Sequence, residues 1–236
     1  MPIPLHSIIL NDSSLELVPK KYRGAKSCSL FEKRFGIPPE MQILDDNFHH
    51  DIVKSLPHRE KRGRPDIVHF ACLDVTSTPA YLDNLVRLFI HTINDETISV
   101  AQRVRLPRTE LRFFGLMSKI LSGRSGIAES ELFKIDRKQT MSDLLRKIDP
   151  RRTILLTREG ARKPLSTAVN EAAKTDSETA WVIGGFARGH FDDKLKSLAD
   201  EMITISELPL PAHVVTARLC YQIELQTQRF SEREVL

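Results

Sequence analysis

The second half of the chain alternates short apolar runs with segments of helical spacing, and this alternation limits the fold more than any other feature. Leu132 to Ile135, Thr153 to Thr157, Ala180 to Ile183 and Met202 to Ile205 read as short strands. Between and after them, helices are expected from a cap at Ser142 to about Ile148, near Leu165 to Lys174, and from Pro211 to about Gln228. Strands separated by helices pair most readily in parallel, so the pattern predicts an α/β domain built on a largely parallel sheet.

The first half is less regular. Ser7 to Leu10 reads as a short buried strand, with Ser13 or Ser14 placed to cap a helical turn through Val18. Ile67 to Leu73 fits strand or helix, since so short an apolar run has no decisive period. Arg87 to Ile93 and Thr97 to Val100 read as strands joined by a turn at Asn94-Asp95. Pro107 is placed to open a helix to about Leu121, with Phe113, Leu116, Met117 and Ile120 as its apolar stripe and Gly123 and Gly126 ending it. Residues 19–65 differ in character: basic side chains from Lys20 to Arg64 are interleaved with Tyr22, Phe31, Phe35 and Phe48. This stretch reads as a charged insertion in a single domain spanning 1–236.

Composition narrows the function class. With 236 residues, 41% of them hydrophobic, the chain can bury a substantial core. A net charge of +4 permits an anionic partner without requiring one. Cys28, Cys72 and Cys220 are far apart and form no C-x-x-C pair, the usage of reduced thiols in a cytoplasmic protein. No apolar run is long enough to span a bilayer, so no membrane association is expected. Asp45, Asp46, His49, His50 and Asp51 crowd one segment, but neighbouring residues diverge in direction and no metal site is expected. His69, His91, His190 and His213 are scattered, and no nucleophile-elbow motif is present.

Three segments carry candidate chemistry. Gly184-Gly185-Phe186-Ala187-Arg188-Gly189 follows an apolar strand, the place where open α/β sheets bind ligands. It is not a P-loop, because His190 and Phe191 stand where lysine and a hydroxyl residue are needed; taken alone it reads first as a tight turn. Ile205 to His213 joins a strand to the last helix through Pro209 and Pro211; this stiff segment could bracket an adenine ring, but taken alone it reads first as a plain strand–helix connector. Arg103, Arg105, Arg108 and Arg112 gather where a helix dipole disfavours positive charge. Both a solvated basic face and an anion site fit them. Arg64 beside Asp66 fits a surface pair or an arginine held in one pose.

Taken in order, R-P-D-I-V-H (Arg64 to His69), F-I-H-T (Phe89 to Thr92), R-L-P-R-T-x-x-R-F-x-G-L-M (Arg105 to Met117), I-G-G-F-A-R-G (Ile183 to Gly189) and I-S-x-x-P-L (Ile205 to Leu210) resemble the pseudouridine N1-specific methyltransferases of small-subunit ribosomal RNA, a ribosome-biogenesis family of the SPOUT class. The resemblance covers nearly the whole chain. It implies a SPOUT-type α/β knot with a C-terminal trefoil, a homodimer packed through the knot, and S-adenosyl-L-methionine as cofactor. On this sequence the cofactor residues would be Thr157, Gly184, Gly189, Ile205, Ser206, Glu207, Leu208, Pro209 and Leu210. Arg64, Arg105, Arg108 and Arg112 match the family's RNA-contacting arginines, and Asp66 the residue that orients Arg64. One departure stands out: the family's D-S-P is here Ser77-Thr78-Pro79, without the acid, so no general base is assigned. Two rival readings remain: an RNA-binding ribosome-assembly factor with dispensable catalysis, and a SPOUT relative acting on a ribose hydroxyl.

Overall fold

A computed structural model describes residues 5–174 and 177–227. Its centre is a seven-stranded sheet of β1 (His6–Ser13), β2 (Val86–Thr92), β3 (Glu96–Val100), β4 (Phe133–Arg137), β5 (Arg152–Arg162), β6 (Thr179–Gly184) and β7 (Glu201–Thr204), in the order β4-β3-β2-β1-β6-β5-β7. The pairings of β2 with β1, β1 with β6, β6 with β5 and β5 with β7 are parallel. Only the β2-β3-β4 edge is antiparallel, turning at Asn94-Asp95, where Asp95 takes a positive φ of 55°. The mixed α/β architecture with a mostly parallel sheet is the one the alternating pattern predicts.

The helices are α1 (Lys26–Phe35), α2 (Asp46–Val53), α3 (Pro65–Thr76), α4 (Pro79–Leu82), α5 (Glu110–Ser122), α6 (Ile127–Leu132), α7 (Met141–Ile148), α8 (Leu165–Ala173), α9 (Asp193–Ser197) and α10 (Ala212–Gln226). Successive strand residues face opposite sides, so β1 feeds two cores. Ile8 and Leu10 pack with Trp181, Ile183 and residues of α3, α5, α8 and α10, while Ile9 faces Phe89, Leu155, Val182 and α7. The 19–65 stretch has a smaller cluster of its own, from Val18, Cys28, Leu44, Ile52, Val53 and Leu56. At the start of β1, His6 is fully buried and its Nδ1 accepts a hydrogen bond from Trp181 Nε1 at 3.1 Å. Burial lowers its pKa to about 4, so the ring is neutral at ordinary pH.

Several local expectations need correction. Ser13 and Ser14 cap no helical turn. β1 runs on through Ser13, the chain continues to a bridge between Leu17 and Ile43, and Ser14 Oγ accepts the Arg64 amide at 2.7 Å. The ambiguous Ile67–Leu73 run is helix, started by Pro65 in the first turn of α3. Pro107 does not open α5, which begins at Glu110. Buried Val104 and Leu106 alternate with exposed Arg103 and Arg105, holding this stretch to the core ahead of the helix, and the Pro107 carbonyl is bound by His69 Nε2 at 2.8 Å. Arg108 is therefore outside the helix and does not share a helical face with Arg112. The cap of α7 is Thr140, not Ser142: Thr140 Oγ1 accepts the Asp143 amide at 3.3 Å and Asp143 Oδ2 accepts the Thr140 amide at 3.1 Å. The last helix starts after Pro211 as expected, and Gln228 lies outside the described residues.

β5 is longer than its apolar core. Leu156 pairs with Ile203, the chain loops out through Thr157 to Gly160, and Ala161 then pairs with Ile203 again. At the tip of this crossing, a Cβ on Gly160 would stand 2.5 Å from Met202 C and 2.6 Å from Ile203 C, and closer still to the Ile203 amide nitrogen. Only glycine lets the two backbones pass this near each other.

Candidate active site

Parallel strands leave free backbone at their carboxyl ends, and here those ends frame a cleft of ≈ 820 Å³. Its walls come from four places: Leu156 to Arg158 in β5 from its last pairing with β6 onward, Ile183, Gly184 and Phe186 to Phe191 at the end of β6 and after it, Pro209 to His213 and Val215 before and in α10, and Arg64, Asp66, Ile67 and Phe70 at the start of α3. A hollow of ≈ 80 Å³ adjoins it, lined by Thr157, Ile203 to Ser206, Leu208 and Leu210.

The glycine loop is fastened to the end of β1. The Gly185 amide donates to Asn11 O at 2.8 Å, and the Ser14 amide donates to Gly185 O at 2.9 Å. A Cβ on Gly185 would lie 2.5 Å from Ser13 Oγ and 2.9 Å from Ser13 Cα, so the contact requires glycine. Gly189 is left-handed with φ +108°. The loop thus needs glycine at 185 and 189. Nothing local in the sequence sets Gly185 apart from Gly184 and Gly189, because its constraint comes from Ser13, 172 residues earlier in the chain.

The charged insertion holds the loop's other side. Lys61 Nζ bonds Asp12 Oδ2 at 2.7 Å and sits 4.7 Å from the centroid of the Phe186 ring. Phe186 in turn meets Phe191 edge-on at 5.9 Å. Across the mouth, Glu159 bonds Lys196 at 3.0 Å and lies 3.4 Å from His190 Nδ1, tying the β5 loop to the glycine loop. Lys196 holds the Glu159 carboxyl below its usual range.

Arg64 stands at the N-cap of α3, where Asp66 grips it through two bonds, Nε to Oδ1 at 2.8 Å and Nη2 to Oδ2 at 2.7 Å. This grip raises the Arg64 pKa further. The Arg64 side chain is still 47% exposed and lines the cleft. Arg158 and Arg188, unremarked in the sequence, line the same cleft. So do His190 and His213, which the sequence reading set aside as scattered; His213 packs edge-on against Phe70 at 6.0 Å.

The remaining arginines lie apart. Arg105, Arg108 and Arg112 are exposed and line neither cavity, and among the described residues none of the three forms an ion pair. Their segment is docked on α3 by the His69–Pro107 bond, with the His69 ring stacked on Phe113 at 4.4 Å. Of the expected cofactor residues, Thr157, Gly184, Gly189, Ile205, Ser206, Leu208, Pro209 and Leu210 line one or both cavities. Glu207 lines neither; its carboxylate points outward into an ion pair with Arg162. Ser77, where the family acid is missing, is exposed at the C-cap of α3, the opposite end from Arg64. At about 1.5 Å per residue, a helix of this length puts roughly 20 Å between them, so Ser77 does not face this cleft. Among the described residues no group of three or more His, Cys, Asp or Glu side chains is placed to hold a metal ion, and no helix is long and apolar enough to cross a membrane.

This arrangement has known counterparts. Residues 8–224 match the family model of the EMG1/NEP1 methyltransferases. The chain is 32% identical over 218 residues to the ribosomal RNA small subunit methyltransferase Nep1 of Methanothrix thermoacetophila, covering 92% of this chain and 95% of that one. It is 35% identical over 221 residues to Nep1 of Archaeoglobus fulgidus, covering 92% and 95%. The structure resembles the crystal structure of Archaeoglobus fulgidus Nep1 bound to S-adenosylhomocysteine, with a TM-score of 0.79, 31% identity, and coverage of 96% of this chain and all of the other.

Proposed function

The chain belongs to the EMG1/NEP1 methyltransferase family, and from that premise we propose that it transfers the methyl group of S-adenosyl-L-methionine to N1 of a pseudouridine in small-subunit ribosomal RNA, as a step in small-subunit biogenesis. The observation that carries this reading is the meeting of the three strand-end loops with Arg64 in one cleft.

The residues present fit the cofactor. The loop is seated on β1 through Gly185, and Gly184, Ala187 and Gly189 line the cleft beside it, where a polar ligand can reach the main chain. Leu156, Ile205, Leu208, Leu210 and Val215 give the adjoining hollow the apolar walls that an adenine ring requires. Thr157, Gly184, Gly189 and the stretch from Ile205 to Leu210 would hold it. When bound, it would supply an electrophilic methyl whose bond to sulfur breaks on transfer, with a neutral thioether as the leaving group.

The protein's own residues do the rest. Pseudouridine keeps an N1–H because its sugar is attached through carbon, and that nitrogen becomes a nucleophile as the proton leaves. Arg64, fixed by Asp66, and Arg158 and Arg188 place positive charge where the pyrimidine anion develops. Asp66 is committed to Arg64, so His190 and His213 are the cleft side chains whose ring nitrogens could accept the N1 proton. Arg105, Arg108 and Arg112, unpaired and outside the cleft, suit the phosphates of a single-stranded RNA whose target base is turned inward.

The same reading extends to assembly. The return of β5 across Ile203 and the close passage at Gly160 support a knotted C-terminal half. Exposed Phe70, Leu208, Tyr221 and Leu225 support a homodimer formed on that side. One continuous sheet supports a single domain, with 19–65 as an insertion that braces the glycine loop. Three buried, unpaired cysteines suit a reducing cytoplasmic setting.

The test is methyl transfer from labelled S-adenosyl-L-methionine to two RNAs differing only in pseudouridine or uridine at the target. Label should enter the first alone, and equal labelling of both would reject N1 chemistry.

A further inference from the structure

A separate cavity of ≈ 470 Å³ opens between α1, α2 and α5, away from the cofactor cleft. Its walls are largely aromatic and aliphatic, from Phe31, Phe35, Phe48, Leu111 and Phe114. Its opening is sustained by Gly115, inside α5, where an added Cβ would meet no atom within 4 Å. Glycine inside a helix is less stable than alanine, so α5 is weakened here at a position where a larger side chain would fit.

Two carboxylates, Asp45 and Glu110, also line the cavity. Asp45 uses Oδ1 to accept the Asn47 amide at 2.9 Å as the cap of α2. Around the rim the charge reverses. The Arg34 guanidinium sits 5.0 Å from the Phe35 ring and 5.9 Å from the Phe48 ring, Lys119 lines the cavity with its Nζ 3.6 Å from Glu129, and Arg112, outside the lining, is the next residue after Leu111 on α5. Flat apolar walls, acceptors within and cations outside match one nucleotide, with an amino-bearing base inside and its phosphates at the rim. An apolar peptide side chain would fill the same walls but offer the carboxylates no donor.

We propose that this cavity binds one unstacked, amino-bearing base of the RNA held by Arg108 and Arg112, so that the enzyme reads its substrate at a second point outside the methylation cleft. The proposal rests on the RNA reading above and adds a subsite to it.

The experiment measures binding of a pseudouridine-containing loop RNA to the full chain by fluorescence anisotropy. The loop is used alone, and extended at its 5′ or 3′ end by up to four nucleotides carrying either adenine or no base. In the wild type, adenine at one of the two ends should tighten binding about tenfold over the abasic extension, in the lower part of the range for one stacked base. Gly115→Leu, which fills the cavity, should abolish that difference while binding the short loop and S-adenosyl-L-methionine as the wild type does. Leu111→Gln, at a side chain 61% exposed, gives the same readout should Gly115→Leu misfold. A tenfold difference kept in the filled variant overturns the proposal. So does equal binding of adenine and abasic extensions at both ends, which would leave the cavity to a protein segment. If Arg108→Ala leaves short-loop binding unchanged, the RNA reading itself fails and this subsite with it.

Discussion

Replacing Gly160 with alanine should destabilise the whole chain, although the residue lies in the irregular part of β5 and the substitution adds one carbon. That carbon would stand 2.5 Å and 2.6 Å from backbone carbons of Met202 and Ile203, where ordinary contacts between carbons are about 3.5–4.0 Å. The neighbours are main chain, so no rotamer change relieves the clash; β7 or the β5 loop must move by about 1 Å. Ile203 is the residue that pairs with both Leu156 and Ala161, so either movement disturbs a ladder on one side. Overpacking of this kind costs about 1–3 kcal/mol, and contact with rigid backbone places Gly160→Ala near about 3 kcal/mol. For a chain of this size, 1 kcal/mol shifts Tm by about 2–4 °C, giving a fall of about 6–12 °C. Calorimetric melting and urea midpoints measure it directly. Because Thr157 and Arg158 of the same loop line the cleft, a titration with S-adenosyl-L-methionine should show weaker binding in parallel. Melting within 2 °C of the wild type would mean that the two backbones do not cross as closely as described.

Three further outcomes are expected. Gly115→Ala should raise stability by about 0.5–1 kcal/mol, since the new methyl enters open space in a helix; a lower urea midpoint would contradict the cavity's openness. Arg108→Ala and Arg112→Ala should each weaken RNA binding and reduce the slope of log K against log salt by about 1, with S-adenosyl-L-methionine affinity unchanged; lost cofactor affinity with RNA binding retained would reverse their assigned roles. His6, whose folded pKa is lowered from 6.5 to about 4, should make stability fall with acid. The unfolded chain takes up a proton below pH 6.5 while the folded chain resists until about 4, so the contribution is complete above 6.5, is lost across that window, and is on the order of 3 kcal/mol. A urea-midpoint series between pH 7.5 and 4 should show that slope, and His6→Phe should remove this part of it.

What could be read in advance follows from how locally each constraint acts. The parallel strands were legible because Ile154, Val182 and Ile203 lie in short apolar runs buried by helices on both sides. The start of α5 was misjudged because the proline rule is local, whereas the Pro107 carbonyl is claimed by His69, 38 residues earlier. Gly185 and Gly160 carry no local signature separating them from any turn glycine; each is fixed by a strand distant in sequence. Arg64 and Asp66 were recognisable because two residues along one turn form the pair. The histidines were not, since only the fold brings residue 190 from a loop and residue 213 from a helix to the same cleft. The weight first placed on Ser77 shifts for the same reason: its position in a motif said nothing of the end of α3 at which it sits.

The central place of β1 bears on how this chain is made. Of the seven strands of this sheet it leaves the ribosome first, yet it pairs with β2 on one side and with β6 on the other, His6 opposite Thr179. At about 5–20 residues per second, translation separates β1 from β6 by roughly 9–35 s. Throughout that interval a strand with Ile8, Ile9 and Leu10 destined for full burial has one hydrogen-bonding edge unmatched. An unpaired apolar edge is a template for joining another chain. Newly made copies are therefore most exposed to mispairing during synthesis, before β6 and the glycine loop that closes one wall of the cleft have been translated.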